Sequence, residues 1–275
     1  GFAVVPSLSS SLLSSNPFVH LCTTSFPYFF FFFYEEAAFS VVSLCLHSGR
    51  LFFVKGRGGV FFMHEIVYFA SPGLAESARL CLELSGVEWK NTVVDWDGYS
   101  ELKASGILPY GYLPIMKTPS GVIAESNALL RYTGALAGLE PDDLHVRAKV
   151  DELVEVINGW RDHFMPTFQI EDLDEKIAAR QALFVEGGSM DVALKLISSV
   201  YAESKTGWLA NTASMSIADV KAFVDTFMLF SGQFDGVTKD LLDQYPLLLQ
   251  FHDWMANDER VKDYFSKTDE MRWVF

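Results

Sequence analysis

The sequence predicts an α/β domain of order βαβ-ββα followed by an all-α domain, and three observations carry that expectation. Between residues 63 and 140, short runs rich in β-branched and aromatic residues alternate with one-faced apolar stretches of helical spacing. Beyond Pro141 strand signals almost vanish, and apolar residues recur at steps of three and four as far as the C-terminus, over 144–275. Between the two patterns stand Pro141, Asp142 and Asp143, a proline and two charges of the kind found in linkers.

A chain of 275 residues, 50% of them hydrophobic, is long and apolar enough to bury a substantial core. Its 35 acidic against 21 basic residues set up a field that repels phosphate backbones and anionic bilayers, so neither nucleic acid nor a membrane is expected as a partner. Cys22, Cys45 and Cys81 are odd in number and scattered, which suits neither a disulfide framework nor a zinc site. A reducing, cytoplasmic setting fits them, with Cys81 packed in a core. His64, His145, His163 and His252 show no metal-ligand spacing; they are read as surface or capping residues, and no metal is expected.

Composition changes near Met63. Before it lie 13 of the 24 Phe, including the block Phe29–Phe33, with serine runs, three basic and two acidic residues, and no sustained period of 2 or 3.6. Glu35 and Glu36 interrupt its most apolar stretch, which makes a poor membrane span. Residues 1–62 are expected to be a leader that is non-native, disordered or a targeting extension for organelle import, with the functional protein starting at Met63.

From there Glu65–Phe69 reads as a first strand, ended by Ser71-Pro72-Gly73. Leu74, Ala78, Cys81 and Leu82 share one helical face, with Gly86 as the C-cap. Trp89–Val94 reads as a second strand, parallel to the first. A loop with Trp96, Tyr99 and Lys103 follows. Leu113–Met116 and Val122–Ala124 form a hairpin about Thr118–Gly121, and Ser126 N-caps the next helix. In the second domain Val146, Val150, Leu153, Ile157, Trp160 and Phe164 mark one helix that ends at Pro166. A second covers roughly 177–201, and a third opens at Ser216-Ile217-Ala218-Asp219, whose spacing allows a reciprocal cap.

Three segments then become specific. Tyr68 to Glu76 (YFASPGLAE), Leu108 to Pro114 (LPYGYLP) and Glu125 to Ala128 (ESNA) resemble, in order and spacing, the glutathione-site motifs of cytosolic glutathione S-transferases. Ser216–Asp219 is similar to the helix-capping motif of that family's second domain, so the resemblance covers about Glu65 to the C-terminus. It implies a thioredoxin-like first domain, an all-helical second domain and the glutathione S-transferase fold. It also implies a homodimer with no metal or bound cofactor, in which glutathione is a co-substrate attacking an apolar electrophile, with isomerase or peroxidase variants of the same site.

The site residues follow from the same resemblance. A hydroxyl at the tip of the first strand donates to the glutathione thiolate in the tyrosine-type, sigma-like classes, and Tyr68 holds that position; Ser71, before Pro72, matches the serine-type classes and is the alternative. Pro114 is cis in the family, and Leu113 holds the cysteinyl part through its main chain. Ser126, at a helix N-terminus, suits the γ-glutamyl carboxylate and Glu125 its ammonium group. Lys103 reaches the glycyl carboxylate, with Tyr99, or Trp96 as the alternative, beside it and Tyr112 in the same site. The pattern departs from the sigma class at Leu74, where many members have Arg, at Tyr112, where Gln or Lys is usual, and at Asn158, near a family Asp. These departures leave room for a second expectation, a protein of this fold that binds or supports without turnover.

Overall fold

The computed structural model describes the backbone of Tyr28–Glu35, Ala38–His47 and Arg50–Lys55, and residues 63–267 in full. The chain divides into two units, 1–62 and 63–275. In the first, β1 (Tyr28–Glu35), β2 (Ala38–His47) and β3 (Arg50–Lys55) form an antiparallel meander with Tyr28 opposite Cys45 and Val42 opposite Lys55. The Phe29–Phe33 block falls in β1; aromatic residues favour extended backbone even where no alternation marks a face. The expected leader also takes in 1–27 and 56–62, which lie outside the described residues.

The second unit opens with β4 (His64–Phe69), which enters the 3-10 turn Gly73–Ala75 and α1 (Glu76–Ser85). Gly86 closes α1 with φ 68°, the left-handed cap expected of it. Next come β5 (Trp89–Val94), α2 (Trp96–Ala104), β6 (Ile115–Thr118), β7 (Gly121–Ala124) and α3 (Ser126–Leu136). The sheet order is β5-β4-β6-β7, with β5 parallel to β4 and the other neighbours antiparallel.

Two expectations about this layer are corrected. Residues 96–104 are a helix and not a loop, because the Asp95 carboxylate accepts from the Gly98 N–H at 2.8 Å and caps the first turn. Ser126 is the first helical residue and not the N-cap. The chain passes from β7 to α3 through Glu125 alone, in the left-handed region at φ 72°, and the Glu125 carbonyl accepts the first helical bond from Leu129.

The helical layer follows as α4 (Leu144–Phe164), α5 (Leu173–Ala182), α6 (Ser189–Glu203), α7 (Ile217–Met228), α8 (Pro246–Ala256) and α9 (Glu259–Lys267). The helix expected over 177–201 is thus two, broken at Gly187-Gly188, where Gly187 has φ 79°. Helix α7 is buried along its whole length and packs on α4, α1 and α3. Its reciprocal cap is present: Asp219 accepts from the Ser216 N–H at 2.8 Å, and its other oxygen accepts from the Leu209 N–H at 2.8 Å. At Gly134 a methyl group would stand 2.1 Å from Ile217 Cγ2, so α3 meets α7 at a distance only glycine permits.

Leu80 and Cys81 of α1 and Leu130 of α3 share one core with Val154, Ile157 and Phe223 of the helical layer. Cys81 is fully buried and its thiol is pushed up to about 12 by desolvation, which makes it inert packing. His252 is neither surface nor cap: it is buried, stacked on Phe223 at 5.5 Å and edge-on to Phe227 at 4.6 Å, and desolvation lowers its pKa. Among the described residues no group of three or more His, Cys, Asp and Glu is placed to hold a metal, and no helix is long and apolar enough to cross a membrane.

Candidate active site

Two cavities lie side by side where the α/β layer faces α4, and they share Leu74 and Arg161. The first, about 360 Å³, is walled by Tyr110, Tyr112, Leu113 and Pro114 on one side and by Ala124, Glu125, Ser126 and Asn127 on the other, with Asn158 from α4. The second, about 310 Å³, is lined by Tyr68, Ser71 and Gly73 from the first layer. Opposite them stand Trp160, Phe164, Met165, Phe168, Met228 and Phe234, with Asp225 and Gln233 at the polar edge. The first cavity mixes polar and apolar groups; the second is a mainly apolar slot of aromatic and thioether side chains.

The bond Leu113–Pro114 is cis. Pro114 is buried beside β6, whose first ladder pair with β4 is Ile115 opposite Val67. Across the cleft, the Ser126 hydroxyl makes no hydrogen bond to another described residue. With the first-turn N–H groups of α3, it offers donors where the helix dipole favours negative charge. Glu125 is exposed, in no ion pair with a described residue, and held in a backbone conformation that side chains rarely adopt. Such outliers gather at ligand sites.

Tyr68 is the penultimate residue of β4 and is 9% exposed. Its hydroxyl accepts from the Leu74 N–H at 3.3 Å, so its own proton remains to be donated. The approach depends on Gly73: at φ 44°, a methyl group there would stand 2.7 Å from the hydroxyl. Beneath this turn Arg79 is fully buried. It donates to the Ser71 and Pro72 carbonyls at 3.0 and 3.2 Å, to Asn91 at 3.0 Å and to Glu76 at 2.9 Å, while Tyr264 of α9 donates to Glu76 at 2.8 Å. The guanidinium carbon also lies 5.7 Å from the Tyr68 ring centre.

The structure thus brings Tyr112, Leu113, Pro114, Glu125 and Ser126 into one cleft, and Tyr68 and Ser71 onto one wall of the adjoining slot. Tyr99 and Lys103 line neither cavity. The Tyr99 hydroxyl donates to the Gly111 carbonyl at 2.8 Å, and Lys103 Nζ lies 5.8 Å from the Tyr99 ring, so both brace the loop that carries Tyr110 and Tyr112. Sequence reasoning missed Arg161, Asn127 and the Arg79 network. Arg161 carries no motif; only its place beside Trp160 in an apolar helical repeat singles it out.

A sheet domain with a cis-proline cleft, completed by a helical domain that supplies an apolar slot, defines the class of glutathione-dependent transferase folds. Residues 158–268 match the family model described as glutathione S-transferase, C-terminal domain. The chain is 25% identical over 161 residues to glutathione S-transferase 1 of Ascaris suum, covering 57% of this chain and 77% of that one. It is 26% identical over 217 residues to glutathione S-transferase P of Bos taurus, covering 76% and 94%. The solved structure of prostaglandin synthase D of Nilaparvata lugens superposes with a TM-score of 0.65 at 20% identity, over 74% of this chain and 98% of that one. The fold is that of the glutathione S-transferases, and the domain match and the relatives together support that family for this chain.

Proposed function

We propose that the chain is a glutathione S-transferase of the sigma-like, tyrosine type, which conjugates the glutathione thiolate to apolar electrophiles and works as a cytoplasmic homodimer. The observation that carries this is the pair of adjoining cavities, one of mixed polarity and one mainly apolar, meeting at Leu74 and Arg161 with Tyr68 on the wall. Glutathione lies in the first, its γ-glutamyl carboxylate at Ser126, its ammonium group at Glu125 and its cysteinyl amide along Leu113. Tyr112 flanks it, and Lys103 faces the glycyl carboxylate from the rim braced by Tyr99. The sulfur then stands at the junction.

A free thiol ionises near pH 8.5, so turnover at neutral pH requires the anion to be favoured. Lowering the thiol pKa by about 2 units takes about 2.7 kcal/mol. Tyr68 is suited to this because it already accepts a bond from Leu74, which polarises its O–H as a donor, and because Leu74 lies in the 3-10 turn that runs on into α1. Ser71, on the same wall, is the alternative donor. The thiol proton leaves to water, sulfur bonds to the electrophilic carbon, and the leaving group departs with its electron pair. This step calls on no group beyond glutathione; isomerisation and peroxide reduction would start from the same thiolate.

Leu74 and the 70% exposed Tyr112 in the cleft favour a second reading, a glutathione binder without turnover. Retention on glutathione-agarose followed by a chlorodinitrobenzene assay separates the two. Retention with turnover is expected; retention alone would favour the binder, and neither would overturn both.

A further inference from the structure

Among the described residues Arg161 is the one cationic side chain lining either cavity, and it lines both. It lies on α4, partly buried, and makes no ion pair or hydrogen bond with another described residue. The other charged group of the apolar slot, Asp225, is 5% exposed and is neutralised by the 3% exposed Lys221 at 2.8 Å, with Ser77 donating to it at 3.5 Å. The slot therefore presents a net positive charge, in a chain whose formal net charge is −14. A guanidinium held in a concave, half-dry site without a partner is under-solvated, and an anion in its planar fork relieves this.

We propose that the apolar slot takes electrophiles that carry an anionic group, a carboxylate or its equivalent on an aromatic or otherwise apolar body, and that Arg161 binds that group. This rests on the transferase reading and narrows its substrate class. Trp160, Phe164 and Phe234 supply the face on which the apolar body lies, and Arg161 orients it so that the reacting carbon points to the Tyr68 wall. On that reading Ser126, Glu125 and the rim hold the ends of glutathione, so the charge at the junction is left for the second substrate. Its volume of about 310 Å³ is at the small end of ligand pockets and suits a single substituted ring.

The test compares chloronitrobenzoate with its methyl ester, each rate normalised to the uncatalysed reaction with glutathione, in the native protein and in Arg161→Gln and Arg161→Lys. The native protein should prefer the acid by about tenfold in kcat/KM, the size expected of one charge-assisted contact. Arg161→Gln should remove that preference by slowing the acid alone, Arg161→Lys should restore part of it, and the KM for glutathione should stay unchanged. Calorimetric binding of acid and ester, with S-methylglutathione filling the first cavity, gives the same comparison without turnover. Equal handling of acid and ester by the native protein would overturn the proposal. So would an Arg161→Gln protein that loses both equally, or whose glutathione KM rises, because Arg161 would then serve the thiolate or the tripeptide. Chlorodinitrobenzene turnover and glutathione retention report separately on the transferase reading.

Discussion

Arg79 and Arg180 are buried to nearly the same degree, 0% and 3% exposed, and are held in opposite ways. Arg79 sits in a cage of oxygens drawn from its own neighbourhood: the Glu76 carboxylate one turn away, the Ser71 and Pro72 carbonyls, and Asn91. Arg180 lies among ring faces, its guanidinium 5.3 Å from Phe164, 5.1 Å from Phe168 and 5.8 Å from Phe234, with Thr167 at 3.2 Å and the Asp235 carbonyl at 3.2 Å as acceptors. Arg79 ties a turn to α1 and β5 through oxygens, whereas Arg180 gathers three rings and adds the Asp235 carboxylate at 3.4 Å. Arg79 thus lies under the turn that brings Ser71 and Gly73 to the apolar slot and leads into Leu74 at the junction, and Arg180 meets the Phe164, Phe168 and Phe234 rings of the facing wall.

The largest effect should come from Arg79→Met. Removing one partner of a buried ion pair costs about 3–5 kcal/mol, because the Glu76 carboxylate keeps its desolvation without its charge partner. The urea midpoint should fall accordingly, and glutathione-agarose retention should fall with it as the 71–73 turn loosens. An unchanged midpoint would break the contrast drawn between the two cages.

Tyr264→Phe is a gentler probe of the same cage from the far end of the chain. Burial and then the nearby Glu76 charge hold the Tyr264 hydroxyl well above its usual pKa, so it remains a donor across the neutral range. Its loss removes a bond to a buried carboxylate, worth about 2 kcal/mol in urea unfolding. Retention on glutathione should survive, since the bonds from Arg79 to the turn are untouched.

Arg180→Met should cost the least, about 1–2 kcal/mol, because a thioether fills the ring cage well while the cation–π attraction is lost. Its signature is kinetic: the KM for chlorodinitrobenzene should rise and that for glutathione should not. A rise in both would mean that the two walls are not supported separately.

The same division explains what could be read from the amino-acid order. The Tyr68 turn, the cis proline after Leu113 and the Glu125-Ser126 corner are local devices, each spelled by adjacent residues whose turn chemistry is particular. Gly86 and the Ser216–Asp219 cap were legible for that reason. Helix α2 was not, because Gly98 and the aromatic residues Trp96 and Tyr99 blur its period and its signal lies in the single cap at Asp95. The helix expected over 177–201 failed at Gly187-Gly188, where the apolar pattern runs on while the backbone turns. Arg161 and Arg180 were out of reach for a different reason. Their surroundings are assembled from α4, the 165–169 segment and residues 233–235, and no spacing along the chain encodes which rings converge.

The claim on which the account turns is that the Tyr68 hydroxyl favours the glutathione anion. Titrating the ultraviolet absorbance of the thiolate of bound glutathione tests it in the native protein, Tyr68→Phe and Ser71→Ala. We expect Tyr68→Phe to raise the apparent pKa by about 2 units, toward that of a free thiol, and Ser71→Ala to leave it in place. A pKa that rises in Ser71→Ala and stays put in Tyr68→Phe would contradict the account.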